Sequence, residues 1–330
     1  MSEVRAKKAL GQHFLVDLNI ARKICDALSG GERPGAGAET RANAAGYAGA
    51  GAEARTMAAG SADAGAETRN GDGAGMAADA RLAADTTAAG APAAAEEERG
   101  GAVPCDVLEV GCGMGVLTQY LLRRGDITTY GAEIDPESVG YLHAHFPEFA
   151  PRLIEGDFLK MNLRERFPRG LKIIGNFPYN ISSQIFFKVL EHRDLVPECV
   201  GMIQKEVAVR IAEPPGSKEY GILSVLLQAW YDIEYLFTVN ETVFNPPPKV
   251  KSAVIRLRRN SVGRLGCDEA LFVKVVKASF GQRRKMIRNS LRAVFGDFGG
   301  AEHPFFTQRA EQLSVADFVQ LTDWVAANRR

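Results

Sequence analysis

Asn176-Phe177-Pro178-Tyr179 brings together residue types that can act on an aromatic amine. The nitrogen of an amine on an aromatic ring is a poor nucleophile, because its lone pair is delocalised into the ring. Two acceptors on its N–H bonds, the Asn176 side-chain carbonyl and the Phe177 backbone carbonyl, pull it toward tetrahedral geometry. Pro178 fixes φ and stiffens the loop, and Tyr179 offers a π-face on which an extruded base stacks for ~1–3 kcal/mol. No strong general base is needed, because the proton becomes acidic once a carbon has been transferred; catalysis is mainly positioning. In isolation the tetrapeptide also fits an ordinary Asn-x-Pro turn with a core tyrosine.

Three upstream features supply a companion site. Glu109-Val110-Gly111-Cys112-Gly113-Met114-Gly115 lies between an apolar run and a helical pattern, and its glycines allow the backbone to approach a ligand closely. Glu133 stands at the end of the next apolar run, where an acid is placed to accept both ribose hydroxyls of an adenosine. Asp157 is placed to accept that adenosine's exocyclic amine, although a helix cap is the plain alternative. A dinucleotide fingerprint wants glycine where Val116 stands, so a methyl donor, S-adenosylmethionine, is favoured over NAD, with a structural turn as the third reading.

The elements that must hold these residues follow from periodicity. Short apolar runs at 106–110, 128–134, 152–154, 171–175, 200–204, 233–239 and 252–257 read as strands. Helical spacing recurs at 17–28, 116–124 and 183–190. The alternation predicts an α/β fold: a doubly wound, mostly parallel, Rossmann-like sheet. After Arg258 only helices are predicted, at 268–280, 283–295, 307–313 and 314–328. The expected domains are therefore 1–258 and a small all-helical domain at 259–330. Residues 30–102 interrupt the first. They are rich in Ala and Gly, repeat Gly-Ala-Glu-x-Arg with evenly spaced starts at Gly37, Gly51 and Gly65, and read as a disordered insertion.

The 330 residues are 46% hydrophobic and 24% charged, with a formal net charge of zero. That zero conceals an asymmetry. Residues 30–102 hold 11 acids and 6 bases, whereas residues 249–292 hold 13 Lys and Arg against Asp268 and Glu269. A block that basic is either a phosphate-binding footprint or a solvated face. No apolar run approaches the roughly 18 residues of a membrane span. The N-terminus lacks a secretory h-region, and five widely spaced cysteines suit reduced thiols. A cytoplasmic protein without a metal is expected; His143 and His145 are two apart and do not share a helix face.

With these motifs in order, the sequence resembles the ribosomal RNA adenine N6,N6-dimethyltransferases, in particular the branch acting on small-subunit (16S) rRNA. The resemblance is carried by Lys8-Ala9-Leu10-Gly11-Gln12-His13-Phe14-Leu15, the Gly111 loop, Ala132-Glu133-Ile134-Asp135 and Gly156-Asp157-Phe158. It continues through Asn176 to Ser182, Gln204 to Ala208, Phe244-Asn245-Pro246-Pro247-Pro248-Lys249-Val250 and Phe280 to Lys285. It implies a donor site of His13, Leu15, Gly111, Gly113, Glu133, Asp157 and Asn176, and a second aromatic wall, Phe244, opposite Tyr179. It also implies an RNA surface including Lys249, Arg283, Arg284, Lys285 and Arg288. The implied reaction dimethylates two adjacent adenosines in the loop of the 3′-terminal helix of 16S rRNA, in a 30S precursor, by a monomeric enzyme. The 23S rRNA branch and a non-catalytic assembly factor are the alternatives. Two departures stand out: Cys112, where the family commonly has Pro, and the insertion at 30–102.

Overall fold

The computed structural model describes residues 4, 6–7, 10–30 and 104–329. The low-complexity segment, apart from Gly30, lies outside them, as do Lys8 and Ala9 of the N-terminal motif. Chain order begins with β1 (Phe14–Leu15) and α1 (Leu18–Asp26). The alternating body follows: β2 (Cys105–Val110), α2 (Thr118–Leu121), β3 (Ile127–Glu133), α3 (Pro136–His145), β4 (Leu153–Glu155), α4 (Leu163–Arg166), β5 (Lys172–Asn176), α5 (Ser182–Glu191) and β6 (Glu198–Gln204). Then come α6 (Lys205–Ala212), α7 (Ile222–Gln228), β7 (Tyr231–Val239), β8 (Phe244–Asn245) and β9 (Ser252–Arg259), and last α8 (Glu269–Gly281), α9 (Ile287–Phe295) and α10 (Val315–Asn328).

Seven strands form one sheet in the order β4-β3-β2-β5-β6-β9-β7, and only β9 runs against its neighbours. This is the expected mostly parallel α/β sheet. β5 and β6 are buried almost throughout, as strands covered on both faces must be. A second, two-stranded pairing of β1 with β8 sets Leu15 opposite Phe244. It carries the N-terminal motif onto the Phe244 segment, a contact that the spacing of single apolar residues did not reveal.

Local chemistry explains the element ends. Asp17 caps α1 by accepting from the amides of Asn19 and Ile20 at 2.8 and 3.1 Å. Two expected helices are shorter than their periodicity suggests. The one at 116–124 is only the single turn of α2, between the glycine loop and Gly125. The one at 283–295 starts at Ile287, leaving Arg283, Arg284 and Lys285 in the turn after α8; three adjacent cations oppose the positive end of a helix dipole. Residues 307–313 form short 3-10 turns rather than an α-helix. The C-terminal helices share one apolar cluster with the sheet: Phe272 and Phe318 belong to the same core as Leu108 and Ile173.

The end of α1 is held from beneath the sheet. The Lys172 ammonium donates to the carbonyls of Ser29 and Gly30 at 3.0 and 2.8 Å and pairs with Glu198 at 3.2 Å; both side chains are nearly fully buried. Arg124 adds donors to the Cys25 and Leu28 carbonyls. Of these acceptors only Cys25 is in the last turn of α1; the others fix the chain that leaves the helix. Removing one partner of a buried pair strands the other charge. Glu198→Ala should lower the unfolding free energy by about 3–5 kcal/mol, measured by equilibrium urea unfolding; a loss within experimental error contradicts this anchoring.

Candidate active site

The carboxyl ends of four adjacent parallel strands meet at one cleft. β2 delivers Gly111 and Gly113, β3 delivers Glu133, β4 is followed by Asp157, and β5 ends on Asn176. His13, Phe177, Pro178 and Tyr179 complete the lining. The crevice outside the carboxyl ends of a doubly wound sheet is where such folds bind ligands. It holds about 980 Å³ of non-protein space, part of it open to solvent.

Glu133 is only 4% exposed, and its carboxylate is shared among three backbone amides. One oxygen accepts from Gly113 at 2.8 Å; the other accepts from Ile134 and Asp135 at 2.9 Å each. A carboxylate offers about four acceptor sites, so roughly one remains for a ligand hydroxyl rather than the two expected. Gly113 reaches this carboxylate with φ +54° while the Phe14 ring lies where a Cβ would project. Burial raises the Glu133 pKa, and the backbone amides oppose that rise. Asp157 caps the following 3-10 turn through one oxygen, which accepts from Leu159 at 2.9 Å, and it also lines the cleft.

The Asn176–Tyr179 loop is fixed at both ends. The Phe177 amide donates to Met202 at 3.0 Å, and its ring is buried between the backbones of Gly175 and Gly201. A Cβ on Gly201 would lie 2.5 Å from that ring, so glycine is required by close approach alone. The Asn176 amide nitrogen donates to the His13 carbonyl at 3.0 Å. That bond settles the amide orientation and commits the nitrogen, leaving the side-chain oxygen as the acceptor. The His13 ring packs on Tyr179 with centroids 5.3 Å apart, and its Nδ1–H donates to the Pro246 carbonyl at 2.9 Å. Lys7, ion-paired with Asp135, and Gln12, donating to it at 3.4 Å, hold the segment across the cleft.

Not every expected residue arrives. Leu15 (2% exposed) and Phe244 (3% exposed) pair across β1 and β8 and pack in the second apolar cluster, away from the cleft lining. Their apolar character serves that packing, which the motif order could not distinguish from a site role. Lys249, Arg284 and Lys285 are exposed. Arg283 is bonded to the Lys218 carbonyl, and Arg288 pairs with Glu302 above the Phe306 ring. Cys112 is buried and its thiol pKa is raised by burial. Two features went unread: Glu109, fully buried beneath the glycine loop with Thr118 donating to it at 2.6 Å, and Ser252, hydrogen-bonded to the Tyr179 hydroxyl.

Among the described residues, the cleft lining contains two carboxylates and no Lys or Arg. Two acidic acceptors with no cation beside them in that lining suit a cationic ligand with hydroxyl and amine donors. This favours the methyl donor over a dinucleotide. No group of three His, Cys, Asp or Glu among the described residues could hold a metal, and no described helix is long and apolar enough to cross a membrane.

The family described as ribosomal RNA adenine dimethylase matches residues 104–327. Ribosomal RNA small subunit methyltransferase A of Parabacteroides distasonis is 47% identical over 324 residues, covering 98% of this chain and 94% of the relative. The protein of that name from Bacteroides thetaiotaomicron is 59% identical over 221 residues, covering 66% and 82%. The crystal structure of a dimethyladenosine transferase from Plasmodium falciparum matches with a TM-score of 0.57 and 25% identity, covering 68% of this chain and 90% of that one.

Burial pushes the Glu109 carboxyl up to about 8 from its ordinary 4.5. Between these values the folded protein holds a proton that the unfolded chain has released, so stability falls as pH rises through that window. Glu109→Gln removes this dependence. Unfolding free energies of the two proteins should diverge in the variant's favour from about pH 4.5 to pH 8; a constant difference across that range contradicts a neutral buried Glu109.

Proposed function

The chain belongs to the ribosomal RNA adenine dimethylase family, and we propose that it dimethylates the N6 amines of two adjacent adenosines in the loop of the 3′-terminal helix of 16S rRNA. The substrate is a 30S precursor particle and the enzyme is a cytoplasmic monomer. The observation that carries this reading is the orientation of Asn176, whose side-chain oxygen is left free by the bond to His13.

S-adenosylmethionine, held by the Gly111–Gly113 backbone, Glu133, Asp157 and the strap around His13, supplies an electrophilic methyl group. The lining supports that assignment through its acceptors and its absence of cations among the described residues. Asn176 Oδ1 and the Phe177 carbonyl accept the two N–H bonds of the target amine, directing its lone pair into the cleft. Tyr179 stacks on the base, and its ring is backed by His13. After one methyl transfer a single N–H remains, so one of the two acceptors suffices for the second. Buried Phe177 prevents the loop from relaxing between the two events.

The helical region at 259–330 is the rRNA-binding part. Phosphate contact falls to Lys249, Arg284 and Lys285, whose charges are exposed; Arg283 and Arg288 are held by neighbours within the fold. Lys205 and Lys251, exposed and joined by a 2.9 Å backbone bond, add two cations next to Ser252.

The test is to incubate the protein and labelled S-adenosylmethionine with immature 30S and with 50S particles, then locate the label. Label as N6,N6-dimethyladenosine at two adjacent positions near the 3′ end of 16S rRNA is expected. Label confined to 23S rRNA, or none in either, contradicts the proposal.

A further inference from the structure

Ser252 opens β9, far from Tyr179 in the chain, and is completely buried. Its backbone is locked in the sheet between Gln204 on β6 and Val239 on β7. Its hydroxyl meets the Tyr179 phenol, the single hydrogen-bond partner that either side chain has among the described residues. The phenol is the tip of the ring that lines the cleft, and the imidazole of His13 covers part of that ring. A tyrosine turns about two side-chain torsions. The phenol oxygen lies on the axis of the second torsion, so the hydrogen bond there limits the first, the swing of the ring, while contact with His13 limits the second. A stacking ring held only by contact can tilt toward the open cleft; one tied at the tip to a rigid strand cannot.

We propose that Ser252 is a positioning residue for the reaction: it fixes the swing of the Tyr179 ring, whose plane His13 restrains, so that the target base stacks with its amine at Asn176 Oδ1. This rests on the reading of the cleft as an adenine methylation site. It gives the antiparallel strand β9 a role in catalysis, although that strand supplies no residue to the cleft lining. The link runs through the sheet itself, since β9 pairs with β6, whose Met202 carbonyl accepts from the Phe177 amide. The loop is therefore registered on the same ladder twice, by its backbone and by its tyrosine.

Ser252→Ala, Tyr179→Phe and the double variant, compared with the wild type on 30S particles, test it. Each single variant should lower kcat about tenfold with the donor dissociation constant unchanged; because each leaves a buried hydroxyl unpaired, Tm falls as well, and the double variant recovers part of that fall. The double variant should be no slower than Tyr179→Phe, because both remove the same bond. Multiplying losses, an unchanged kcat in Ser252→Ala, or a loss accompanied by weaker donor binding overturns the inference. If the wild type itself leaves 16S adenosines unmethylated, the functional reading fails instead, so the two failures are distinguishable.

Discussion

One hydrogen bond organises the site: the Asn176 amide nitrogen donating to the His13 carbonyl. A carboxamide can present either its oxygen or its nitrogen to a ligand, and only the oxygen can polarise an amine. The N-terminal strap resolves that choice by consuming the nitrogen. The strap must itself be held, which is the work of the β1–β8 pair, of the His13–Pro246 bond and of Lys7 and Gln12 on Asp135. Segments as distant in the chain as His13 and Pro246 thus converge on the orientation of one side chain.

Buried carboxylates support this arrangement at some cost to stability. Glu133 gathers the amides of Gly113, Ile134 and Asp135, so the glycine loop and the end of β3 share one anion. Glu109 lies beneath them with Thr118 as its donor and no cation paired with it among the described residues, and burial, more than the nearby Glu133, raises its pKa. The result is a cleft floor with fixed acceptors, suited to a cationic ligand.

Much of this was legible in the sequence, because parallel strands announce themselves as apolar runs and their loops as Gly, Glu, Asp and Asn at run ends. The order of Gly111, Glu133, Asp157 and Asn176 translated directly into four adjacent strand ends. What could not be read depends on pairing between distant segments. Nothing local to Phe244 says that it buries against Leu15, and nothing local to Ser252 says that it meets Tyr179. Charge was ambiguous for the same reason. Arg283, Arg284, Lys285 and Arg288 look alike in sequence, and only the fold separates the two that are held by neighbours from the two exposed to solvent. Helix length was overestimated where glycines or adjacent cations ended a periodic run early.

In the function proposed above, Asn176 Oδ1 activates the target amine. The direct measurement is the single-turnover methylation rate of Asn176→Ala on 30S particles with saturating donor. The account predicts a loss of at least about a hundredfold, the scale of removing a preorganised polar group from a reacting centre, with the protein folded and the particle still bound. A rate within a few-fold of wild type would contradict it.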